Sequence, residues 1–319
     1  MKRDLTRRVL LAGLLMAAGA ALAQTSSRPL KLVVPFGAGT STDIVGRIVA
    51  DALGRQLGQV VIVENKPGAG GAIGSEQVAK SGSDGQTLLL GTVGTHAINP
   101  SLYKRLGYQP LRDFAPLGFV GATPTLLVVP AASPWTRVAD LRQAADASVN
   151  FASAGNGTSG HLAGELLNVR LSKRFVHVPY RDGAQALTEL VAGNVQFMFY
   201  HPAAVLPHVR AGRLRALGAS SARRSLAAPE VPTLIEQGVP GFDLVAWFML
   251  YAPATMPAEQ QDRLREATRL VLAQPEVREK LSLQGIERTD MNAAELSAFA
   301  SAEIAKWGEA VQRSGAQVD

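Results

Sequence analysis

Short apolar runs alternate with longer segments of helical hydrophobic spacing along most of this chain. The run "LKLVVP" at residues 30–35 predicts a buried strand, and the segment after it places Ile44, Ile48 and Ala52 at helical spacing. Further strands are predicted in "QVVIVEN", "QTLLLGT", "TLLVVP", "VNFASAG", "FVHVPY", "VQFMFY" and "RLRALGAS". The repeated order of strand, turn and helix predicts an α/β fold with parallel layering.

The pattern changes near residue 241, and this change indicates how the chain divides. "GFDLVAWFMLYAPATMP" predicts one more strand with a loop, and the rest of the chain is almost wholly helical. One face of the last predicted helix carries core-forming residues, namely Leu296, Phe299, Ile304, Trp307 and Val311. We predict two β/α lobes joined by two crossing segments. Lobe 1 comprises residues 24–124 and 243–319, and lobe 2 comprises residues 125–242.

The first residues have the features of a secretory signal peptide. Basic residues, among them Arg7 and Arg8, precede an uncharged apolar stretch at residues 9–22, and "ALAQ" supplies a cleavage site after Ala23. The apolar stretch is short for a membrane span, and a retained anchor is the alternative. "TRRVLL" also resembles a twin-arginine signal, so the export route stays open. We expect residues 1–23 to be removed and the mature protein to be soluble in the periplasm.

Charge and composition exclude several classes of partner. Of the formal net charge of +6, the four basic residues and Asp4 of the predicted signal supply +3, which leaves 6 − 3 = +3. No run of Lys or Arg follows Ala23, so we expect no nucleic-acid partner. The chain has no cysteine, and therefore no disulfide and no thiol nucleophile. Its 319 residues, 47% hydrophobic and 18% charged, are typical of a globular protein with room for two domains.

Two segments share an unusual chemistry, because each runs from a predicted strand through glycines and hydroxyl residues into a predicted helix. They are "PFGAGTSTDIVGRIVADAL" and "ASAGNGTSGHLAGELL", one early in each predicted lobe. The first N–H groups of a helix lack internal partners and, with the helix dipole, attract anions. One helix end contributes at most about 2 kcal/mol, whereas micromolar binding needs about 8 kcal/mol. Two such turns that face a shared cleft can together bind a carboxylate.

The first segment offers several candidate ligand groups. Gly39 lets a ligand approach the backbone closely because it has no Cβ. Thr40, Ser41 and Thr42 carry hydroxyl groups that can donate to a carboxylate. Asp43 has two open interpretations. It caps the helix, since Thr40 and Asp43 fit a capping box, or it accepts from an ammonium or hydroxyl group of the ligand.

The second segment and a third loop add further candidates. Thr158 and Ser159 precede the second helix, and His161 lies just inside it. A neutral His161 either donates to the ligand or satisfies a nearby carbonyl group. Thr95 and His96 follow the third predicted strand, and open α/β sheets bind ligands in such loops.

The chain shows no convincing enzyme or cofactor motif. "GAGTST" is not followed by Gly-Lys-Ser/Thr, and "GAGGAIG" lacks a surrounding dinucleotide unit, so we interpret the latter as a turn. Neither HExxH nor GxSxG occurs, and the histidines show no clustered metal spacing. We expect no cofactor and no metal, and a secreted enzyme is a less favoured alternative.

Long motifs resemble the Bug family, the TctC-like substrate-binding proteins of tripartite tricarboxylate transporters. They include "VENKPGAGGAIGSEQVAKSGSDGQTLLLG", "THAINPSLY", "SAGNGTSGHLAGELL" and "VPYRDGAQALTELVAG". The resemblance covers essentially the whole mature chain and implies a two-lobed periplasmic binding protein, type II-like, that closes on a small organic acid. It also implies delivery to membrane permease subunits. The alternative is a ligand sensor that presents its closed form to a membrane signalling partner, and in either case we expect a monomer.

The candidate ligand-binding residues are Phe36, Gly39, Thr40, Ser41, Thr42, Asp43, Thr95, His96, Gly157, Thr158, Ser159, His161 and Tyr200. The sequence departs from the family at two points. Thr40 replaces the second of two adjacent glycines, and Tyr200 and His201 stand where an acidic and an amide residue are usual. We therefore predict a ligand without an ammonium group and with an aromatic or apolar distal part, unless Tyr200 only packs.

Overall fold

The computed structural model describes residues 28–82, 85–145 and 148–318, so the predicted signal peptide lies outside the described residues. The strands are β1 (Leu30–Val34), β2 (Val61–Asn65), β3 (Thr87–Thr92), β4 (Phe114–Pro124), β5 (Leu126–Pro130), β6 (Asn150–Ser153), β7 (Val176–Pro179), β8 (Phe197–Tyr200), β9 (Leu214–Ala219) and β10 (Val245–Pro253). The α-helices are α1 (Ser41–Leu57), α2 (Ala72–Ala79), α3 (Asn99–Leu102), α4 (Pro110–Asp113), α5 (Val138–Gln143), α6 (Ser159–Leu171), α7 (Gly183–Val191), α8 (Pro202–Arg210), α9 (Ala258–Ala273), α10 (Pro275–Leu283) and α11 (Ala293–Ser314). A 3₁₀ turn (Ala69–Gly71) and a π-helical turn (Gly94–Ile98) complete the description.

The strands form two five-stranded sheets. The first has the order β2-β1-β3-β10-β4 and the second the order β7-β6-β8-β5-β9. In the first sheet β1 pairs in parallel with β2 and β3, and in the second β6 pairs in parallel with β7 and β8. The other strands run antiparallel, β10 against β3 and β4, and β5 against β8 and β9. The predicted parallel layering is found in part of each sheet, and strands from the chain's two crossings make both sheets mixed.

The chain passes between the sheets twice, and the two passages lie side by side. The first passage is at Thr125, between β4 and β5, and the second lies between β9 and β10. Ser220 joins them, because its Oγ accepts from the Thr125 amide at 2.9 Å and donates to the Leu244 carbonyl at 2.6 Å. The predicted lobe boundaries after residues 124 and 242 fall within these passages and stay predictions.

Each sheet is covered on both faces, which gives four apolar clusters. On the first sheet, α1, α9 and α10 cover one face, and α11 packs on the other. The face of α11 predicted to form core contacts does lie against this sheet. Glu303 is buried there and accepts from the indole N–H groups of Trp247 and Trp307 at 2.8 and 2.9 Å. Over the described residues, no helix combines the length and apolar character needed to cross a membrane.

Candidate functional site

The loop between β1 and α1 is fixed by its own hydroxyl and carboxylate groups. Thr40 caps α1, since its Oγ1 accepts from the Asp43 amide at 3.3 Å and donates to the Gly37 carbonyl at 2.7 Å. Asp43 accepts from the Gly39 amide and the Arg47 guanidinium, at 2.9 and 3.0 Å. Burial raises the pKa of Asp43, but these hydrogen bonds and a further one from an asparagine lower it more, so that it stays ionised. These contacts hold the loop together but do not form the predicted capping box, because the Asp43 carboxylate accepts from the Gly39 amide while the Thr40 amide donates to Gly37.

The loop between β6 and α6 repeats this geometry in the second sheet. Thr158 caps α6, accepting from the His161 amide at 3.4 Å and donating to the Gly155 carbonyl at 2.8 Å. Gly157 has a φ of +80°, as Gly39 has +77°, and both turns need this left-handed backbone. Gly157 also donates its amide to His161 Nδ1 at 3.3 Å. The two segments with similar sequence therefore form two similar helix starts.

A small cavity lies between these two helix starts and between the two sheets. Its volume is about 30 Å³, room for one or two water molecules. It is lined by Phe36, Thr42, Thr92, Val93, Gly94, Ala154, Thr158, Ser159, Gly160, Phe199, Tyr200, His201, Ala246, Trp247 and Phe248. None of these described lining residues is Asp, Glu, Lys or Arg. The cavity is therefore walled by aromatic rings and small polar groups.

Tyr200, at the end of β8, brings its ring into this cavity from the second sheet. Burial raises the pKa of Tyr200, and the charge of Asp182 raises it further, so the phenol stays protonated. Hydrogen bonding from the backbone and the side chain of Ser41, at the start of α1, acts in the opposite direction and lowers that pKa. Ser41 of α1 and Tyr200 of β8 thus contact each other between the two sheets.

His201 lines the same cavity and was missed as a site residue. Its Nε2 lies 3.3 Å from Ser159 Oγ, and its Nδ1 is buried without a partner. Its ring stacks on Tyr200 at 5.5 Å and meets Phe248 edge-on at 5.7 Å. Burial lowers the pKa of His201 to about 4, so the imidazole is neutral at neutral pH. The sequence did carry a signal for His201, because it directly follows Tyr200 at a strand end and departs there from the family motif.

Thr95 and His96 lie in the π-helical turn, and their side chains point into the first lobe. His96 Nδ1 lies 2.8 Å from Thr95 Oγ1, and the ring stacks on Tyr251 at 4.1 Å. Burial lowers the pKa of His96 to about 3.

Of the thirteen candidate residues, the cavity brings together Phe36, Thr42, Thr158, Ser159 and Tyr200. The others, Gly39, Thr40, Ser41, Asp43, Thr95, His96, Gly157 and His161, are not among the lining residues.

The glycine-rich turn at residues 68–71 packs against the second loop across the cleft. A Cβ on Gly70 would lie 2.0 Å from the Asn156 carbonyl oxygen, so the two backbones touch there. Tyr103 Oη donates to that same carbonyl at 3.3 Å. The interpretation of this segment as a turn is right but incomplete, because the turn also forms an edge contact between the lobes.

Comparison with known proteins identifies the family. The model described as "Tripartite tricarboxylate transporter family receptor" matches residues 45–316. The chain belongs to this family of receptors. Among the curated relatives of this receptor are a UPF0065 protein from the tcbD-tcbE intergenic region of Pseudomonas sp., 38% identical over 91% of each chain, and BugT of Bordetella pertussis, 33% identical over 99% of each.

Solved structures agree with this assignment. The periplasmic binding protein BugD superposes on the receptor with a TM-score of 0.87 at 32% identity, covering 91% of this chain and 99% of BugD. An adipate-bound protein of R. palustris superposes with a TM-score of 0.88 at 32% identity, covering 92% of this chain and 100% of the other. MatC of Rhodopseudomonas palustris, with bound malate, superposes with a TM-score of 0.84 at 31% identity, covering 89% of this chain and 99% of MatC. The receptor therefore has the predicted α/β, two-lobed periplasmic binding protein fold, in a family of binding proteins.

Proposed function

We propose that this receptor is a periplasmic protein that captures a small carboxylate between its lobes and delivers it to a tripartite tricarboxylate-type permease. The observation that carries the proposal is the pair of threonine-capped helix starts, α1 and α6, on opposite sides of one cavity.

The energy of binding must come from several hydrogen bonds at once. A hydrogen bond to a charged group contributes about 1.5–3 kcal/mol, so micromolar affinity needs about four of them. Thr42, Ser159 and Tyr200 are hydroxyl residues among those that line the cavity. The first backbone amides of α1 and α6 are further donors. The cavity of about 30 Å³ is too small for a dicarboxylate such as adipate. Ligand entry therefore requires the lobes to part at the two crossings, as in other hinged binding proteins.

The ligand class follows from the charges around the cavity. No carboxylate lines it among the described residues, so an ammonium group would be buried there without a partner, which costs several kcal/mol. Aromatic rings suit an apolar ligand body. We expect organic acids without an ammonium group, a class that includes the adipate and malate named for two solved relatives.

The first experiment is native mass spectrometry of the protein purified from the periplasmic fraction. A mass that begins at residue 24 would support removal of residues 1–23, and a copurified acid would identify the ligand. Thermal shifts against mono-, di- and tricarboxylates then rank the candidates, because a ligand that binds only the folded state raises Tm with concentration. A shift with amino acids and none with simple acids would contradict the proposed ligand class.

Thr42→Glu tests the position of the carboxylate. The new negative charge at the start of α1 should weaken binding more than tenfold. Thr42 is buried, so Tm should fall as well, and affinity is measured below the Tm of the variant, where it is folded. Thr188→Glu, on an exposed position of α7, is the matched control and should bind normally. Equal affinity of both variants would refute this placement.

Delivery to a permease predicts that deletion of the gene abolishes uptake of the acid, and that a gene carrying Thr42→Glu does not restore uptake.

A further inference from the structure

Away from the cavity, the second lobe brings two histidines and a glutamate together. His161 and Glu165 lie one turn apart on α6, and His177 lies on β7 beside them. One nitrogen or oxygen atom from each of the three residues can be chosen so that all lie within 4.8 Å of one another. The two imidazole rings stack at a centroid distance of 4.1 Å, and His161 Nε2 is 3.9 Å from Glu165 Oε1. The spacing of the residues in the sequence gave no sign of this cluster.

The ionisation states of the cluster suit a cation. Burial lowers the pKa of His161 to about 4, and burial together with His161 lowers the pKa of His177 to about 3. Both imidazoles are therefore neutral at neutral pH. Each ring already has one hydrogen-bonded nitrogen, since His161 Nδ1 accepts from the Gly157 amide and His177 Nε2 lies 2.7 Å from Ser153 Oγ, so metal binding must rearrange ring protons or these contacts. Burial raises the pKa of Glu165, opposed by a hydrogen bond from Asn168. A partly buried carboxyl group thus faces two neutral imidazoles.

We propose that His161, Glu165 and His177 bind one divalent transition-metal ion, of which zinc is the best match. Two imidazole nitrogens and one carboxylate oxygen are a common zinc ligand set, with water in the fourth position. Mg²⁺ and Ca²⁺ prefer oxygen ligands and should not bind here. Glu165 is only half-buried, which leaves a path for the ion from solvent. The proposal does not depend on the carboxylate function.

Binding requires a small contraction of the cluster. Zinc–nitrogen bonds of about 2.0–2.1 Å in a tetrahedron place ligand atoms about 3.3 Å apart, so the side chains must move inward by roughly 1 Å. The stacked rings must also rotate, because a bound metal lies in the plane of each imidazole. The His177 ring must also leave its present contacts, because its Nε2 lies 2.7 Å from Ser153 Oγ and the ring stacks on Phe151 at 4.9 Å.

The hydrogen bond between Gly157 and His161 links the cluster to the loop beside the cavity. Nδ1 of His161 accepts from the Gly157 amide, so the ring proton is on Nε2, the atom that faces Glu165. A metal at Nε2 displaces that proton, and the neutral ring then carries it on Nδ1, opposite the Gly157 N–H. Two donors cannot share a hydrogen bond, so metal binding must release Gly157. The amide resonance of Gly157 in an NMR spectrum should therefore shift when zinc is added.

Isothermal titration of the EDTA-treated, dialysed mature protein with ZnCl₂ tests the proposal. We expect one equivalent of zinc, a zinc-dependent rise in Tm, and no response to MgCl₂. His177→Asn and Glu165→Gln should each weaken zinc binding at least tenfold. His208→Asn, a histidine on α8 outside the cluster, is the control and should bind zinc as the wild type does. Absence of stoichiometric binding, or equal binding by all three variants, would overturn the proposal.

Discussion

Replacing Gly70 by alanine separates closure of the lobes from their folding. A Cβ at Gly70 would meet the Asn156 carbonyl oxygen at 2.0 Å, whereas ordinary contacts begin at 3.4 Å. One of the two loops must therefore retreat by more than about 1 Å. Gly70 follows β2 of the first sheet and Asn156 follows β6 of the second, so this retreat parts the two sheets at their edge.

The size of the effect has two parts. Gly70 has a φ of +58°, and an alanine in that left-handed conformation costs about 1–2 kcal/mol of folding stability. The retreat also breaks the hydrogen bond from Tyr103 to Asn156, worth about 1 kcal/mol, and the surrounding contacts. The backbone strain is present in open and closed molecules alike, so the lost hydrogen bond and contacts alone shift their ratio. A loss of about 1 kcal/mol from the closed form changes the ratio of closed to open molecules about fivefold.

Gly58→Ala is a closely matched control. Gly58 ends α1 with a φ of +61°, and no atom lies within 4 Å of its would-be Cβ, so this variant carries the same backbone strain without the clash. Small-angle scattering of the ligand-free proteins should show a larger radius of gyration for Gly70→Ala alone, with both variants losing similar thermal stability. Identical scattering of the two variants would show that the Asn156 loop yields locally and that our reasoning is wrong.

Three further predictions concern single side chains. Tyr200→Phe removes one donor to a charged group and should weaken carboxylate binding by about 1.5–3 kcal/mol in calorimetry, with Tm nearly unchanged; unchanged affinity would mean that Tyr200 only packs. Glu303→Ala leaves the buried N–H groups of Trp247 and Trp307 unpaired and should cost about 2–6 kcal/mol in urea unfolding; a loss under about 1 kcal/mol would contradict this account. The pKa of His96 is 6.5 in the unfolded chain, and burial lowers it to about 3 in the folded chain. As the pH is lowered through this range, the unfolded state is protonated first, so the free energy of unfolding decreases. Between pH 6.5 and 5 this group removes about 2 kcal/mol, and His96→Asn should show a correspondingly flatter pH dependence in thermal melts; parallel curves would refute it.

The sequence was most informative where a local rule decides the structure. Thr40 and Thr158 each begin a helix because a hydroxyl can satisfy its first amides, and that chemistry is readable from a few adjacent letters. Apolar periodicity likewise located the strands and the buried face of α11. Both signals act over short distances along the chain.

Contacts between residues that are far apart in the sequence could not be predicted from short motifs. His96 follows a strand end, as ligand-binding residues often do, yet its ring turns into the lobe because Tyr251 of β10 offers a stacking surface. His161 and His177 meet only because β6 and β7 pair, and no spacing rule indicates that contact. The antiparallel insertion of β10 was also invisible, since an apolar strand does not indicate which neighbours it will pair with.

The position of β10 has a consequence for the order in which the molecule assembles. β10 lies between β3 and β4, so the first sheet stays divided until the chain has been supplied as far as Pro253. The second sheet, by contrast, uses one continuous stretch that ends at Ala219. When the chain emerges from its N-terminus onward, the second sheet can fold while the first sheet still lacks β10. We therefore expect the half that emerges first to be the last to fold, with its apolar strands exposed in the meantime.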